Sequence, residues 1–199
     1  ALLGGMALAA APRAFAEDKA APAAAAPAGE DNVQYKAKTV YDFEDDTVEG
    51  DLWGHPEVNS GGGAWYPPAV DVERGVLYVG VANPAPFPGT AEWPNGTSRR
   101  GPNLYTDSIV ALDLKTGKLK WYFQQVHHDI WDLDSASPVV LFDAGGHQGI
   151  AQASKTGWLY MLDRETGKPL YGIDEKPVPQ SAEQKTAATQ PIPRNGEFI

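Results

Sequence analysis

The sequence contains no cysteine. A disulfide scaffold, a thiolate nucleophile, a cysteine-held metal and a covalently attached c-type haem are therefore excluded from this stretch, so any metal here is held by oxygen or imidazole. Basic residues are scarce as well: 16 Lys and Arg stand against 26 Asp and Glu, for a net charge of −10. Nucleic acid is thereby excluded as a partner, because no cationic patch is available to neutralise phosphates. Long apolar runs are missing, and a membrane span needs about 20 consecutive apolar residues. What is abundant is glycine (21), proline (17), tyrosine (8) and tryptophan (6). That mixture suits short strands and tight turns and excludes an all-helical bundle.

Residues 1–16 are apolar and end in small residues at the −3 and −1 positions before Glu17, the pattern of an export signal; with no initiating Met and no basic leader, the sequence reads as truncated at its start. Residues 17–34 form an Ala/Pro-rich tether with no face to bury, an expected disordered segment. The folded part is then residues 35–199. The acids between Glu30 and Glu57 read mostly as a solvated loop.

From Tyr66 onward short β-branched and aromatic runs alternate with Gly, Pro and Asp turns. Two stretches superpose at an offset of 50 residues, with Asp113 over Asp163, Gly117 over Gly167 and Trp121 over Tyr171. Each reads as a hairpin turned by Asp-x-x-Thr-Gly. Preceding each is another strand pair, residues 67–71 with 75–80 and residues 137–141 with 149–153. Four strands per unit, repeated, is the arithmetic of a propeller blade. The expected fold is all-β, a partial β-propeller of four-stranded antiparallel sheets. At about 40–45 residues per blade the length suggests roughly three to four blades, a fragment of a closed ring.

Ala111, Asp113, Thr116, Gly117 and Trp121 match the tryptophan-docking pattern Ala-x-Asp-x-x-Thr-Gly-x-x-x-Trp. With Gly61-Gly-Gly-Ala-Trp-Tyr66, Ala82-Asn-Pro-Ala-Pro-Phe87, His127-His-Asp-Ile-Trp-Asp-Leu-Asp134 and Ala153-Ser-Lys-Thr-Gly157, the chain resembles the pyrroloquinoline quinone (PQQ)-dependent alcohol dehydrogenases, eight-bladed quinoproteins. The resemblance covers roughly residues 53–199. It implies PQQ and a Ca²⁺ or lanthanide ion as cofactors, oxidation of a small alcohol or polyol, a periplasmic location, and an electron acceptor such as a cytochrome c or a quinone, with the missing blades as partners.

The resemblance also implies site residues. Trp65 corresponds to the floor on which the quinone stacks; by itself it reads as an ordinary core tryptophan. Asn83 corresponds to a metal ligand, an amide oxygen being a suitable hard donor, and by itself reads as a turn residue before proline. Asp132 corresponds to the general base that takes the substrate's hydroxyl proton beside the cation, so it is also a metal-site residue. Asp134, two residues on, shares its side if the segment is extended and corresponds to an acid associated with lanthanide use. Lys155 corresponds to the lysine that donates to the quinone oxygens, and alone reads as a surface lysine next to a turn. His127 and His128 read as supporting residues and Asp129 as structural.

The family's glutamate ligand has no match in context; Glu49 and Glu57 are acids upstream with different neighbours. The string from His127 to Asp134 also resembles membrane glucose dehydrogenases, which leaves the metal open and glucose or polyol oxidation as an alternative. A noncatalytic periplasmic propeller and a decayed remnant are the readings from other classes. A scaffold has no reason to keep Trp65, Asn83, Asp132 and Lys155 in order.

Overall fold

The computed structural model describes Trp53, His55 and residues 57–194. The expected signal over residues 1–16 and tether over residues 17–34 lie outside these. The elements in chain order are β1 (Ser60–Gly61), β2 (Ala69–Asp71), β3 (Val76–Val81), β4 (Pro84–Ala85), β5 (Ser108–Asp113), β6 (Leu119–Gln124), β7 (Val140–Ala144), β8 (His147–Ala153), β9 (Leu159–Asp163), β10 (Ile173–Pro177) and β11 (Thr189–Pro193). The described residues contain no helix.

Two sheets form the body. One has the order β2-β3-β5-β6 and the other β7-β8-β9, antiparallel throughout. Their facing sides obey the alternation expected of strands: Val76 and Tyr78 on β3, Ile109 and Ala111 on β5, Ile150 on β8, and Tyr160 and Leu162 on β9 are buried in one cluster. Within the first sheet Tyr78 pairs with Ala111, which pairs with Trp121. The small middle residue lets the two rings approach to 5.7 Å between centroids.

The Asp-x-x-Thr-Gly turns are built alike. Asp113 Oδ1 accepts hydrogen bonds from Thr116 N (2.8 Å) and Thr116 Oγ1 (2.7 Å), and Asp163 Oδ1 accepts from Thr166 N and Thr166 Oγ1 at the same distances. These bonds hold both carboxyls below the usual aspartate range. The hairpins differ beyond the turn. After β5 comes a full strand; after β9 there is only the bridge from Leu162 to Pro169, with Leu170 N donating to Met161 O. Proline has no N–H for the ladder, so the expected fourth strand ends as a single contact.

The described residues thus make one complete blade and one of three strands. Length suggests more because residues 82–107 and 125–139 are spent on long, largely irregular connections. These excursions carry Asn83, Asp132 and Asp134. A separate ribbon pairs β10 with β11.

The repeated glycines show how the sheets are locked together. Gly117 and Gly167 both have positive φ, 68° and 70°. A Cβ on Gly117 would meet nothing within 4 Å, whereas one on Gly167 would lie 2.5 Å from Trp121 Cε3. The indole of the first blade is therefore seated on the turn of the second. Gly117→Ala should cost about 1–2 kcal/mol from left-handed backbone alone. Gly167→Ala should cost a further ~1–3 kcal/mol from overpacking, read by urea denaturation. Equal costs would show that the indole does not rest on that turn.

Candidate functional site

The site begins with a close backbone approach. Gly61 has φ 113°, and a Cβ there would stand 2.6 Å from Asn83 O and 2.7 Å from Pro84 Cα. Only glycine fits, and its absence of a side chain lets β1 pair with β4, Gly61 opposite Pro84. Gly62 N then donates to Asn83 O (3.0 Å), and Ala82 N to Gly63 O (2.8 Å). The glycine run and the Asn83 segment are thereby fastened side by side, with Trp65 just beyond.

Asn83 lies just past β3, the second strand of the first sheet, and Lys155 just past β8, the second strand of the other. Lys155 stands in the turn closed by Gly157 N donating to Ser154 O (3.0 Å). Between these ends runs the connection that carries Asp132 and Asp134. Asp134 is fully buried; its Oδ1 accepts from Asn83 N (2.8 Å) and its Oδ2 from Lys155 Nζ (2.5 Å). Lys155 Nζ also donates to Asp132 Oδ2 (3.2 Å) and lies 5.6 Å from the centroid of the Trp65 ring. The side chains of Trp65, Asp132, Asp134 and Lys155 therefore come together with the main chain of Asn83, whose side-chain Nδ2 donates to Pro84 O (2.8 Å).

The five side chains are not equally exposed. Trp65 presents 62% of its surface and Asp132 43% of its side chain, against 0% for Asp134. Asp132 has φ 68°, an uncommon conformation for a residue other than glycine. The hydrogen bond to Asp134, aided by that to Asp132, holds the Lys155 ammonium above the usual lysine range. A cation so stabilised supports the fold below its unfolded pKa and loses that support only as pH rises through the folded value, so the clip is closed throughout neutral pH.

Beneath the cluster lies a buried polar layer. Ser135 Oγ donates to Gln125 Oε1 (2.6 Å), Gln125 Nε2 to Gln152 Oε1 (2.8 Å), and Gln152 Nε2 to Ser137 O (2.7 Å). Asp129, expected to be structural, is buried and accepts from Trp131 N (2.8 Å) and Leu133 N (2.6 Å), shaping the turn that presents Asp132. Burial raises its carboxyl above the usual range, and those two N–H groups oppose the shift. The two histidines diverge. His127 Nε2 meets Glu175 Oε1 (3.0 Å), while His128 lies between Gly101 O (2.8 Å) and Asn95 O (2.9 Å), so they form no imidazole pair for a metal.

The two carboxylates suit a hard cation, with an ammonium already between them, while the Asn83 amide is bonded to its neighbour Pro84 O (2.8 Å). Among the described residues no three His, Cys, Asp or Glu side chains gather in a metal-holding group, so this chain offers a partial set. Glu57 pairs with His55 (3.0 Å), and Glu49 lies outside the described residues. The exposed Trp65 face and the adjacent ammonium fit a flat, anionic ring system.

Two residues here carried no signal in the sequence. Arg99 is fully buried among main-chain carbonyls, and Asp107 is fully buried within reach of its charge, with burial pushing the Asp107 carboxyl well above the usual range. Neither Asp107 oxygen is hydrogen-bonded among the described residues, and the adjacent Thr106 hydroxyl donates to Asn103 O instead.

The family model for the PQQ-dependent glucose/ethanol/alcohol dehydrogenase β-propeller domain matches residues 29–198. The chain belongs to this family. The quinohemoprotein alcohol dehydrogenase of Comamonas testosteroni is 37% identical over 149 residues, 68% of this chain and 20% of that protein. Quinoprotein glucose dehydrogenase A of Acinetobacter calcoaceticus is 35% identical over 141 residues, 68% and 16% of the two chains. The crystal structure of the Comamonas testosteroni quinohemoprotein alcohol dehydrogenase superposes with a TM-score of 0.51 at 34% identity, covering 68% of this chain and 20% of that one. The all-β architecture is thus a partial quinoprotein propeller, and the chain spans about a fifth of the length of the relatives it matches.

Within this quinoprotein segment the two acids should differ sharply in their cost to stability. Asp134→Ala removes a fully buried acceptor from the partly buried Asn83 N–H and should lower stability by about 1–3 kcal/mol. Asp132→Ala, at a half-exposed ion pair, should cost under ~1 kcal/mol. Denaturant titration of both variants checks the ordering, and the reverse order would contradict the geometry.

Proposed function

We propose that this segment supplies one wall of the active site of a PQQ-dependent dehydrogenase that oxidises alcohols with the aid of a bound metal ion. The observation that carries the reading is the meeting of Asp132, Asp134 and Lys155 beside Trp65, with Asn83 fastened to Asp134. PQQ, when bound, supplies the two-electron acceptor for oxidation of the alcohol carbon.

Each residue has a role its setting favours. Trp65 offers the flat apolar surface on which a quinone rests. Lys155, which now donates to the two acids, would direct positive charge and N–H donors to the quinone oxygens, where negative charge would grow on reduction. Asn83 and Asp134 serve the cation, and Asp134 also keeps the Asn83 backbone in place. Asp132 is the half-exposed carboxylate of the pair, so an incoming hydroxyl can reach it, and its Oδ2 takes the hydroxyl proton. Protonation of Asp132 would weaken its bond to Lys155 Nζ and leave the ammonium available to the quinone oxygens. Ca²⁺ and a lanthanide both suit these donors.

The stretch from Asn83 to Phe87 favours alcohols as substrate. Glucose or polyol oxidation is the second reading, supported by relatives whose names are glucose and glycerol dehydrogenases at similar identity. The apolar run over residues 1–16 supports export to the periplasm, where a cytochrome c or a quinone would accept the electrons.

Equilibrium dialysis of the purified chain with PQQ and either CaCl₂ or LaCl₃ tests the site. Metal-dependent retention of PQQ is expected, weakened at least tenfold by Asn83→Ala or Lys155→Met. Failure of the wild-type chain to retain PQQ at high micromolar concentration, with its sheets folded by circular dichroism, would refute the assignment.

A further inference from the structure

Arg99 is among the largest fully buried side chains in the described residues, and no ion pair joins it to a carboxylate there. Burying a guanidinium without a counter-charge is costly unless its N–H groups are met by acceptors. They are met by groups from three separate segments. Nη2 donates to Phe87 O (2.6 Å) and Asp129 O (2.7 Å), Nε reaches toward Pro86 O (3.4 Å), and Nη1 donates to Asn103 Oδ1. Pro86 and Phe87 continue the stretch that begins at Asn83. Asp129 opens the turn that ends at Asp132 and Asp134. Asn103 belongs to the loop leading into β5, an inner strand of the first sheet.

The arrangement closes a circuit. From Arg99 one arm runs through Phe87 back to Asn83, whose N–H is held by Asp134. The other runs through Asp129, whose carboxylate fixes Trp131 N and Leu133 N on either side of Asp132. The arms rejoin where Lys155 meets both acids. A planar fork of five donors is suited to hold several carbonyls in fixed directions at once, which a lysine's compact ammonium is not. Burial pushes the guanidinium's pKa down to about 10, opposed by the charges of Asp129 and Asp107, so it stays cationic at neutral pH.

We infer that Arg99 is a positioning residue: it sets the Asn83 segment and the Asp129–Asp134 turn in register, so that the Asn83 main chain stays on Asp134 and both carboxylates stay on Lys155. It touches neither acid side chain in that set and acts on both segments through main-chain carbonyls alone. The inference rests on the proposed reading only where it names a cation as the occupant; the positioning stands on the hydrogen bonds themselves.

The test uses Arg99→Lys and Arg99→Met in the full chain with two readouts. Amide hydrogen exchange is followed at Asn83, Trp131 and Leu133, with Ile109 and Ile150 as reporters of the sheets. Terbium chloride titration, read by tryptophan-sensitised luminescence, reports cation affinity. The expected result is at least tenfold faster exchange at the three loop amides in both variants, unchanged protection at Ile109 and Ile150, and terbium affinity reduced at least tenfold. Should Arg99→Met unfold, Arg99→Lys decides, because it keeps the charge and loses the fork. Unchanged loop exchange in a folded Arg99→Lys protein overturns the inference. So does loss of protection at Ile109 and Ile150 in both variants, which would make Arg99 a residue of the global fold. If wild type binds no terbium while the loop amides respond as expected, the positioning role holds and the cation-site reading fails.

Discussion

Asp134 is withdrawn completely from water and met by donors on both oxygens, and the way it is met organises this molecule. One oxygen takes the main-chain N–H of Asn83 and the other takes the ammonium of Lys155. Those partners stand at the exits of equivalent strands in successive sheets, so a single buried anion ties the two blades at one edge. Loss of the Lys155 ammonium would leave the fully buried Asp134 carboxylate without its counter-charge. Asp132 joins the same ammonium from the solvent side and keeps half its surface open. One lysine thus connects a buried carboxylate to a half-exposed one.

That junction depends on the blades being correctly stacked. Tyr78, Ala111 and Trp121 make one row across the first sheet, and the indole at its end rests on Gly167 of the second. Tyr78 Oη donates to Arg164 O (2.8 Å), and Arg164 reaches back to Asp71 (3.2 Å), so polar contacts reinforce the apolar ones across the same seam. At the edge nearer the site the seam is filled by Gln125, Ser135 and Gln152, each bonded to another. A satisfied polar layer is directional where an apolar one is not, and it fixes the connection that carries the acids.

What could be read from sequence was what is local. The Asp-x-x-Thr-Gly turns repeat because each is closed by its own aspartate, and the structure builds both with nearly identical bonds. The inner strands were legible from β-branched and aromatic alternation. The fourth strand of the second unit was not, because Pro169 withholds a ladder donor from an otherwise strand-like run. Trp65, Asn83, Asp132, Asp134 and Lys155 are spread over four separate stretches of chain, and only the likeness to quinoproteins linked them before the fold brought them together. Arg99 left no trace in the sequence: its partners are mostly main-chain carbonyls, which any residue provides, and the neighbouring Arg100 gives the same local signature. Asp107 and the glutamine layer escaped notice for a related reason, since the cost of burying a polar group depends on contacts made far along the chain.

That one cluster receives both a cation and a quinone is tested most directly by anomalous diffraction from crystals of this chain grown with PQQ and terbium. The expected map has a metal peak bound by Asp132, Asp134 and Asn83, planar density over Trp65, and the Lys155 ammonium turned from the carboxylates toward the ring. A metal peak elsewhere, with Lys155 still bridging the two acids and nothing stacked on Trp65, would contradict it.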